Sequence, residues 1–336
     1  MKGQDVDWYA AIKIPANIDK WQGRGFVYLD SFQTDWKLSP LPINSTSSAV
    51  GATLKQLYMK DKELLKIAYN DDWPDTHKAN NGRGHSKGVA VANREGGFWL
   101  IHSVPNFPPI KKYEYPESGT KFAQSLLCIS FGVDALPAVS QYMRFAQVTP
   151  YVTALPPSIK FLAPYFEDVI HKKSLSRSDT KFTYSQTIYT HDRTNVTIFS
   201  KHKKFNKDLW YGLIAPSLRT PLCVETWRNG AAQDVGTQCG GGENVYDVTE
   251  VRLPQATFSS TKDHSKWGVS MNESAPFVCI GDVNRQISQF NRGGGAACVQ
   301  NKALWAAFYR SVATFAKCNV EGKETEVERR KMLDHL

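Results

Sequence analysis

Two copies of the tripeptide His-Ser-Lys occur in this chain of 336 residues, and their residue types suit phosphate chemistry. His85 and Lys87 belong to the first copy, and His264 and Lys266 belong to the second, 179 residues later. Each copy leads into a short apolar run that predicts a β-strand. Because residues two apart share one face of a strand, each histidine should point the same way as its lysine.

Two such pairs in one cleft would supply the groups that cleavage of a phosphodiester needs. One neutral imidazole can attack phosphorus and form a phosphohistidine. The other imidazole, when protonated, can donate its proton to the departing alkoxide. The two ammonium groups can neutralise charge on the non-bridging oxygens. We therefore predict that the catalytic residues are His85, Lys87, His264 and Lys266. This chemistry requires no metal ion, and neither a metal nor a cofactor is predicted.

The repeat extends beyond the tripeptide. After the first copy the apolar run FWLIHSVPN reaches Asn106, 21 residues beyond His85. After the second copy FVCIGDVN reaches Asn284, 20 residues beyond His264. Each half thus contains the motif, a strand, a turn and a second strand that ends near an asparagine. We infer an internal duplication with a pseudo-twofold axis, in which both asparagines can add hydrogen bonds to a bound phosphate.

The elements that must position these residues alternate between strands and helices. Residues 87–103 predict a hairpin, and the polar stretch within 154–182 suggests a boundary. We expect an α/β fold of two halves, residues 1–160 and 161–336, each with an α-β-α arrangement and with one active site at their interface. A long amphipathic helix is expected near the end, with one apolar stripe formed by Leu304, Phe308, Val312 and Phe315.

Composition sets the limits for partners and location. The net charge of +9 and the pI near 9.1 favour an anionic partner, either nucleic acid or an acidic surface. No apolar run approaches the roughly 18 residues that a membrane span needs, and the first residues lack the apolar core of a signal peptide. The basic run at 201–207, KHKKFNK, is interpreted as a solvated face.

Six cysteines indicate the redox environment. No pair has CxxC spacing, which argues against a zinc site or a thioredoxin-like motif, and five of the six lie beyond residue 220. This clustering favours disulfides in an oxidising compartment. Glycosylation sequons occur at Asn44, Asn195 and Asn272, but chance alone would produce about two in a chain of this composition.

The two HxK motifs, each with a downstream asparagine, resemble those of the phospholipase D superfamily. A closer resemblance is to the deoxyribonuclease II family, through VDWYAAIKIP, LLKIAYNDDWP, GGFWLIHSVPNFPP, DHSKWGVS and CIGDVNR. The similar segments run from residue 6 to about residue 318 and so cover nearly the whole chain. GFWLIHSVPNFPP is highly specific, whereas HSK alone is not.

The resemblance implies an activity and a setting. It implies hydrolysis of double-stranded DNA at acidic pH, without a divalent metal, to 3′-phosphate and 5′-hydroxyl ends. It also implies a secreted, lysosomal or other acidic location outside the cytosol. By analogy with the superfamily, His85 attacks and His264 is the acid, although the reverse assignment stays open. His102 matches a further histidine of the family, and with Asn106 and Asn284 it forms the predicted supporting set.

The resemblance also implies two disulfides, Cys279–Cys298 and Cys239–Cys318. Cys128 matches a cysteine whose partner lies near the family's N-terminus, where this sequence has none. Cys128 is therefore either free or paired with Cys223.

Departures from the superfamily pattern leave some roles open. The fuller HxKxxxxD pattern would have aspartates where this chain has Ala92 and Met271. Asp263 and Asp282 are candidates for orienting the histidines, whereas NDDWPD at 70–75 is interpreted as a turn. Two other functions remain possible: a phosphodiesterase acting on phospholipid or another non-DNA substrate, or a non-catalytic relative that binds DNA or a surface. The sequence does not determine whether the protein forms a homodimer.

Overall fold

The computed structural model describes residues 4–74, 76, 79, 80, 82–240, 242–318 and 326–328. Their strands form two large sheets, one from each half of the chain.

The first sheet has eight strands, and every neighbouring pair in it is antiparallel. Its order is β3-β2-β1-β7-β6-β5-β4-β8. The predicted hairpin at 87–103 is the pair β5 and β6. In chain order the strands are β1 (Trp8–Lys13), β2 (Phe26–Asp30), β3 (Lys37–Leu38), β4 (Leu65–Asn70), β5 (Lys87–Ala92), β6 (Gly96–His102), β7 (Gln124–Gly132) and β8 (Pro150–Ala154).

The second sheet has the order β18-β17-β12-β11-β14-β15-β16-β10-β9, with β13 paired to β12. The pair β11 and β12 is parallel. Its strands are β9 (Thr183–Tyr189), β10 (Asn195–Lys201), β11 (Leu222–Thr226), β12 (Val245–Leu253), β13 (Ala256–Ser259), β14 (Lys266–Ser270), β15 (Phe277–Gly281), β16 (Gly294–Gln300), β17 (Val312–Ala316) and β18 (Glu326–Glu328).

Helices are short. The α-helices are α1 (Ala49–Leu54), α2 (Leu136–Ala146), α3 (Pro157–Lys160), α4 (Tyr165–Ile170), α5 (Ala215–Leu218) and α6 (Lys302–Ser311). Residues Trp210–Ile214 form a π-helical turn that continues into α5. The 3₁₀ turns are Lys55–Tyr58, Glu117–Gly119, Val133–Ala135, Lys203–Phe205, Ser260–Lys262 and Ile287–Asn291.

The closing helix is shorter than its apolar stripe predicts. Helix α6 ends at Ser311, and Val312 and Phe315 belong to β17, which pairs with β12. Leu304 and Phe308 are buried on the helix, as expected. β-Branched and aromatic residues fit a pleated, half-buried surface, so the segment after Ser311 joins a sheet edge instead of continuing the helix.

Six strands of the first sheet have counterparts in the second. The order β2-β1-β7-β6-β5-β4 corresponds to β9-β10-β16-β15-β14-β11. The first His-Ser-Lys motif leads into β5, and the second leads into β14, at the same place in that order. The structure therefore has the α/β fold of two related halves that the sequence predicts. The division between 1–160 and 161–336 falls between β8 and β9 and stays a prediction.

The sheets share one apolar core. Its buried side chains come from both sheets and from α2 and α6, which lie between the two layers. Phe308 of α6 contacts Trp267 of the second sheet and also Trp36 of the first half. A second apolar cluster lies with α1 on the outer face of the first sheet, and a third lies with the Trp210–Ile214 turn on the second. The halves are thus packed together through their interior.

Two buried lysines end equivalent strands and hold the loops that enter the next strand. Nζ of Lys13 donates to the carbonyl of Thr120 at 2.5 Å. Nζ of Lys201 donates to the carbonyls of Gln289, Phe290 and Arg292 at 3.0, 2.9 and 2.6 Å. Burial lowers the pKa of Lys13 to about 7 and that of Lys201 to about 8. The run 201–207 is therefore only partly a solvated face, since its first lysine is structural.

The cysteines form the two bonds that the resemblance implied. Cys279 and Cys298 are facing residues of β15 and β16, and Cys239 is bonded to Cys318. Cys128 on β7 and Cys223 on β11 are both free and buried. In the part of the chain that the structure describes, no helix is long and apolar enough to cross a membrane. The three sequon asparagines are all exposed.

Reduction of the disulfides should destabilise the protein. In the chain-entropy model, closing 79 residues stabilises a fold by about 4.5 kcal/mol and closing 19 residues by about 3 kcal/mol. We expect dithiothreitol to lower the midpoint of thermal unfolding by several degrees or more in calorimetry. A variant with all four bonded cysteines replaced by alanine should show no further change with reductant. Peptide mapping that finds these thiols free in the native protein would contradict the prediction.

Candidate active site

Each His-Ser-Lys motif is bonded to the opposite half of the molecule. The amide of His85 donates to the carbonyl of Gly293 at 2.9 Å, and the amide of His264 donates to the carbonyl of Ala123 at 2.9 Å. Gly293 and Ala123 immediately precede the equivalent strands β16 and β7. These two bonds are related by the pseudo-twofold, and they bring both motifs to the junction between the halves.

Glycines make this close approach possible. A Cβ on Gly293 would lie 2.3 Å from the carbonyl oxygen of Ala146, and a Cβ on Gly84 would lie 2.0 Å from the same atom. Both distances are too short for any side chain. Gly84, just before His85, and Gly293, just before β16, must therefore be glycines, because both loops pass the carbonyl of Ala146 at the end of α2.

His85 lies in a cluster of charged side chains. Its Nδ1 is 2.8 Å from Oδ2 of Asp71, and Nζ of Lys87 donates to the other oxygen of the same carboxylate. Nη2 of Arg292 donates to Oδ2 of Asp71 at 3.0 Å, and Nη1 lies 3.1 Å from Nδ1 of His85. The Asp71 carboxylate can only accept and the Arg292 guanidinium can only donate, so Nδ1 can bond only one of them. The contact with Asp71 is the shorter, which assigns the proton to Nδ1. The other ring nitrogen, Nε2, is buried and has no hydrogen-bond partner among the residues that the structure describes.

Burial and charge set the protonation states in this cluster. Burial lowers the pKa of His85 to about 3; Asp71 opposes this effect, whereas Lys87 and Arg292 add to it. Burial alone would raise the pKa of Asp71, but His85, Lys87 and Arg292 hold that pKa well below its ordinary value. The arrangement is a neutral imidazole beside an ionised carboxylate and two cations.

His264 has aromatic neighbours instead. The centroid of its ring lies 5.0 Å from that of Trp227 and 6.5 Å from that of Phe122, and the Phe122 ring is tilted from it by 21°. Nδ1 of His264 is buried, and no described residue forms a hydrogen bond with it. Burial, followed by the charges of Lys266, Lys87 and His85, lowers the pKa of His264 well below its ordinary value. These electrostatic interactions connect the two motifs across the interface.

The lysines occupy equivalent positions but make different bonds. Lys87 contacts the Asp71 carboxylate, whereas Nζ of Lys266 donates to the carbonyl of His264 at 2.7 Å. Burial and the charge of Lys87 lower the pKa of Lys266 to about 7, against the attraction of Asp263 and other carboxylates. The two amides also reach across the interface: that of Lys87 donates to Asp282 and that of Lys266 to Oγ of Ser125.

The pseudo-twofold relates a charged pair to an aromatic pair. Asn70 faces Lys87 across β4 and β5, and Thr226 faces Lys266 across β11 and β14, so the following residues, Asp71 and Trp227, are equivalent. Lys13 faces Gln124, and Lys201 faces Gly294, so the residues two positions earlier, Phe122 and Arg292, are also equivalent. The ion pair beside His85 thus stands where two rings lie beside His264.

The three predicted supporting residues differ in whether their polar side-chain atoms have hydrogen-bond partners. His102 is buried; its Nδ1 accepts from the amide of Val104 at 3.2 Å, and its Nε2 has no partner. Burial and the charge of Lys87 lower the pKa of His102 to about 3. Oδ1 of Asn284 is also buried and without a partner. The side-chain nitrogen of Asn106, Nδ2, already has partners, since it donates to the carboxylate of Asp72 and to the carbonyl of Trp73.

Strand register also shows that the two asparagines are not equivalent. His102 faces Leu126 on β7, and Gly281 faces Ala296 at the equivalent position on β16. Counting onward from these residues, Asn284 corresponds to Pro105, one position before Asn106. The strands of the two halves are therefore equivalent residue by residue, whereas Asn106 and Asn284 are offset by one position.

The two aspartates proposed to orient the histidines do not do so. Asp282 accepts from the amide of Lys87 and from the hydroxyl of Tyr142, and Asp263 accepts from the amide of Ser265. Among the described residues, neither forms a hydrogen bond with a histidine ring. The residue that holds His85 is Asp71, within the segment that sequence reasoning interpreted as a turn. The sequence contained one indication of this role: Asp71 comes directly after β4, the strand that pairs with the motif strand β5.

A cavity of about 950 Å³ lies elsewhere, on the outer face of the first sheet beside α1. Its lining includes Asp7, Asp30 and Cys128 and none of the predicted catalytic residues. The two carboxylates are bonded within the fold, to Thr190 and to the amide of Phe32. Among the described residues, no group of three or more His, Cys, Asp and Glu side chains could hold a metal ion.

Comparisons with known proteins agree on one family. The family model for deoxyribonuclease II matches residues 1–318. Cell-death-related nuclease 7 of Caenorhabditis elegans is 41% identical over 320 residues, which cover 95% of this chain and 87% of that protein. Deoxyribonuclease-2-alpha of Sus scrofa is 34% identical over 335 residues, covering 96% and 90%. Plancitoxin-1 of Acanthaster planci is 32% identical over 328 residues, covering 94% and 91%.

The charged cluster around Asp71 predicts a large cost for removing its carboxylate. Asp71→Asn keeps the size of the side chain but leaves Lys87 and Arg292 buried without their anion. Breaking a buried pair in this way typically costs 3–5 kcal/mol, so the free energy of unfolding should fall by about 3 kcal/mol in denaturant titrations. Asp192→Asn, at an exposed position, should change it by less than about 0.5 kcal/mol. Similar small changes in both variants would show that the cluster contributes little.

Proposed function

Because this chain belongs to the deoxyribonuclease II family, we propose that it is an endodeoxyribonuclease that hydrolyses double-stranded DNA at acidic pH without a metal ion. It leaves 3′-phosphate and 5′-hydroxyl ends through a phosphohistidine intermediate. The observation that supports this most is one available nitrogen on each motif histidine: within the described part of the chain, Nε2 of His85 and Nδ1 of His264 have no hydrogen-bond partner.

His85 is the proposed nucleophile. Its Nδ1 proton is held by Asp71, so the lone pair is on Nε2, the nitrogen without a partner. The low pKa of about 3 keeps this ring neutral even in acid, which preserves the lone pair where most histidines would be protonated. Attack forms a bond between Nε2 and phosphorus, and the bond from phosphorus to the 5′-oxygen breaks. Water then hydrolyses the phosphohistidine to the 3′-phosphate.

His264 is the proposed acid, and its environment accounts for an acidic optimum. Its pKa lies well below the ordinary value, so the ring is mostly neutral at pH 7 and gains its proton only as the pH falls. A bound phosphodiester anion raises that pKa and favours the protonated form. The Lys266 pKa of about 7 acts in the same direction, because this ammonium is fully charged only in acid. Rising pH therefore removes both the acid and part of the charge that stabilises the transition state.

The remaining predicted residues support the phosphate. Lys87 and Lys266 neutralise the non-bridging oxygens. Nδ1 of His102 accepts from the amide of Val104, so its Nε2 carries the ring proton and can donate to a phosphate oxygen. Asn284 can donate only through its side-chain NH2 group, because its Oδ1 is an acceptor and cannot bond a phosphate oxygen. Asn106 acts indirectly, since its amide holds the backbone at Asp72 and Trp73, next to Asp71.

The rival functions have less support. A non-DNA phosphodiester would suit the same four groups, but the net charge of +9 and the family favour DNA. A non-catalytic relative would not need two unpartnered histidine nitrogens in a buried basic cluster. The two disulfides and the requirement for acid fit a secreted or lysosomal location.

Chelation and pH test the proposed chemistry together. Plasmid nicking at about pH 5 should be unchanged by excess EDTA, because the histidines and lysines supply all the required charge and proton transfer. Nicking should fall at least tenfold between about pH 5 and pH 7.5 as His264 loses its proton. The measurement is the rate of conversion from supercoiled to nicked plasmid. Cleavage that EDTA abolishes and magnesium restores would rule out the histidine mechanism.

A substrate that needs no acid distinguishes the two histidines. Nitrophenolate leaves without protonation, so His264→Ala should still release it from a nitrophenyl phosphodiester, whereas His85→Ala should release none. Nitrophenolate absorbance under single-turnover conditions measures both rates. Activity in His85→Ala alone would mean that the roles are reversed, and activity in both variants would exclude a histidine nucleophile.

A further inference from the structure

Two aromatic side chains form a partly exposed surface beside His264. The ring centroids of Phe122 and Trp227 lie 4.6 Å apart, and both rings contact His264. Neither residue belongs to the three apolar clusters of the core, and both keep part of their surface open to solvent. Nζ of the exposed Lys121 lies 5.1 Å from the centroid of the Phe122 ring. We call Phe122 and Trp227 the aromatic platform.

The equivalent place in the first half shows that the scaffold does not require these rings. There Asp71 and Arg292 form a buried ion pair that holds Nδ1 of His85. Among the described residues, neither Phe122 nor Trp227 forms a hydrogen bond with Nδ1 of His264. Fixing the histidine by a hydrogen bond is therefore not the platform's role. Instead, the platform presents the faces of two aromatic rings beside His264, the imidazole proposed to protonate the leaving group.

We propose that the aromatic platform stacks the base of the nucleotide whose 5′-oxygen leaves. This inference rests on the proposed function, in which His264 protonates that oxygen and so contacts the downstream nucleoside. Every base has a π face, so such a site accepts all four bases. Stacking a base here requires it to leave the helical stack, so the duplex opens locally at the cleaved step.

The test uses short oligonucleotides with one ordinary phosphodiester between methylphosphonate linkages, which fixes the position of the reacting phosphate. Three versions are compared: all bases present, an abasic residue just downstream of the phosphodiester, and an abasic residue just upstream. Their affinities for a His85→Ala protein are measured by fluorescence anisotropy at about pH 5. Cleavage rates of the unmodified protein are measured in parallel.

Loss of the downstream base should weaken binding between about fivefold and 100-fold, the range for one base stacked on an aromatic side chain. Loss of the upstream base should have a much smaller effect. Adding Phe122→Leu or Trp227→Leu should reduce affinity for the complete oligonucleotide by a similar factor and leave the downstream abasic one unchanged. Phe122→Tyr, which keeps the ring, should restore stacking. Phe32→Leu, at an aromatic residue that is 71% exposed on the first half, is the matched control.

The outcomes are distinct. Equal losses on complete and abasic oligonucleotides would mean that the rings only support His264, and no loss would mean that they contact no base; either result overturns the proposal. A loss confined to the upstream abasic version would also overturn it. Binding is measured without turnover, so failure of the unmodified protein to cleave any DNA would count against the proposed function and not against the platform.

Discussion

The amide of each motif histidine is bonded to the opposite half of the molecule, and the geometry of the site depends on this exchange. His85 is bonded to Gly293 and His264 to Ala123, at equivalent strand entries. The same strand entries carry Arg292 and Phe122, the side chains that contact each histidine. Docking of the halves therefore assembles the backbone position and the side-chain environment together. Neither half by itself contains a complete environment for its own histidine.

That assembly buries charge, which is costly unless each ion has a partner. In the first half the cost is offset by Asp71, which contacts His85, Lys87 and Arg292. In the second half no carboxylate among the described residues forms an ion pair with Lys266, and burial together with the charge of Lys87 lowers the pKa of Lys266 to about 7. The same scaffold thus lowers the pKa of the Asp71 carboxyl in one half and that of the Lys266 ammonium in the other.

Much of the fold and of the central site could be predicted from the sequence, because both are encoded locally. The hairpin at 87–103 and the two His-Ser-Lys motifs need only periodicity and short spacing. Asp71 and Trp227 could not be assigned, since their roles depend on which strand lies beside the motif strand. The asparagines misled for a different reason: their spacings from the motif histidines, 21 and 20 residues, differ by one, and only the strand register shows that this difference makes the two positions non-equivalent. Helix α6 ends before Val312 and Phe315 because these residues belong to β17, which pairs with β12.

The pseudo-twofold has a consequence for how such a site can diverge. If two identical chains met on a true symmetry axis, every substitution would appear on both sides, and the two histidines would have the same neighbours. Joining both copies in one chain removes that constraint. Asp71 and Trp227 occupy one ancestral position, and Arg292 and Phe122 occupy another, yet each pair now differs in charge. Fusion of the copies allowed charged side chains to surround one histidine and aromatic side chains to surround the other.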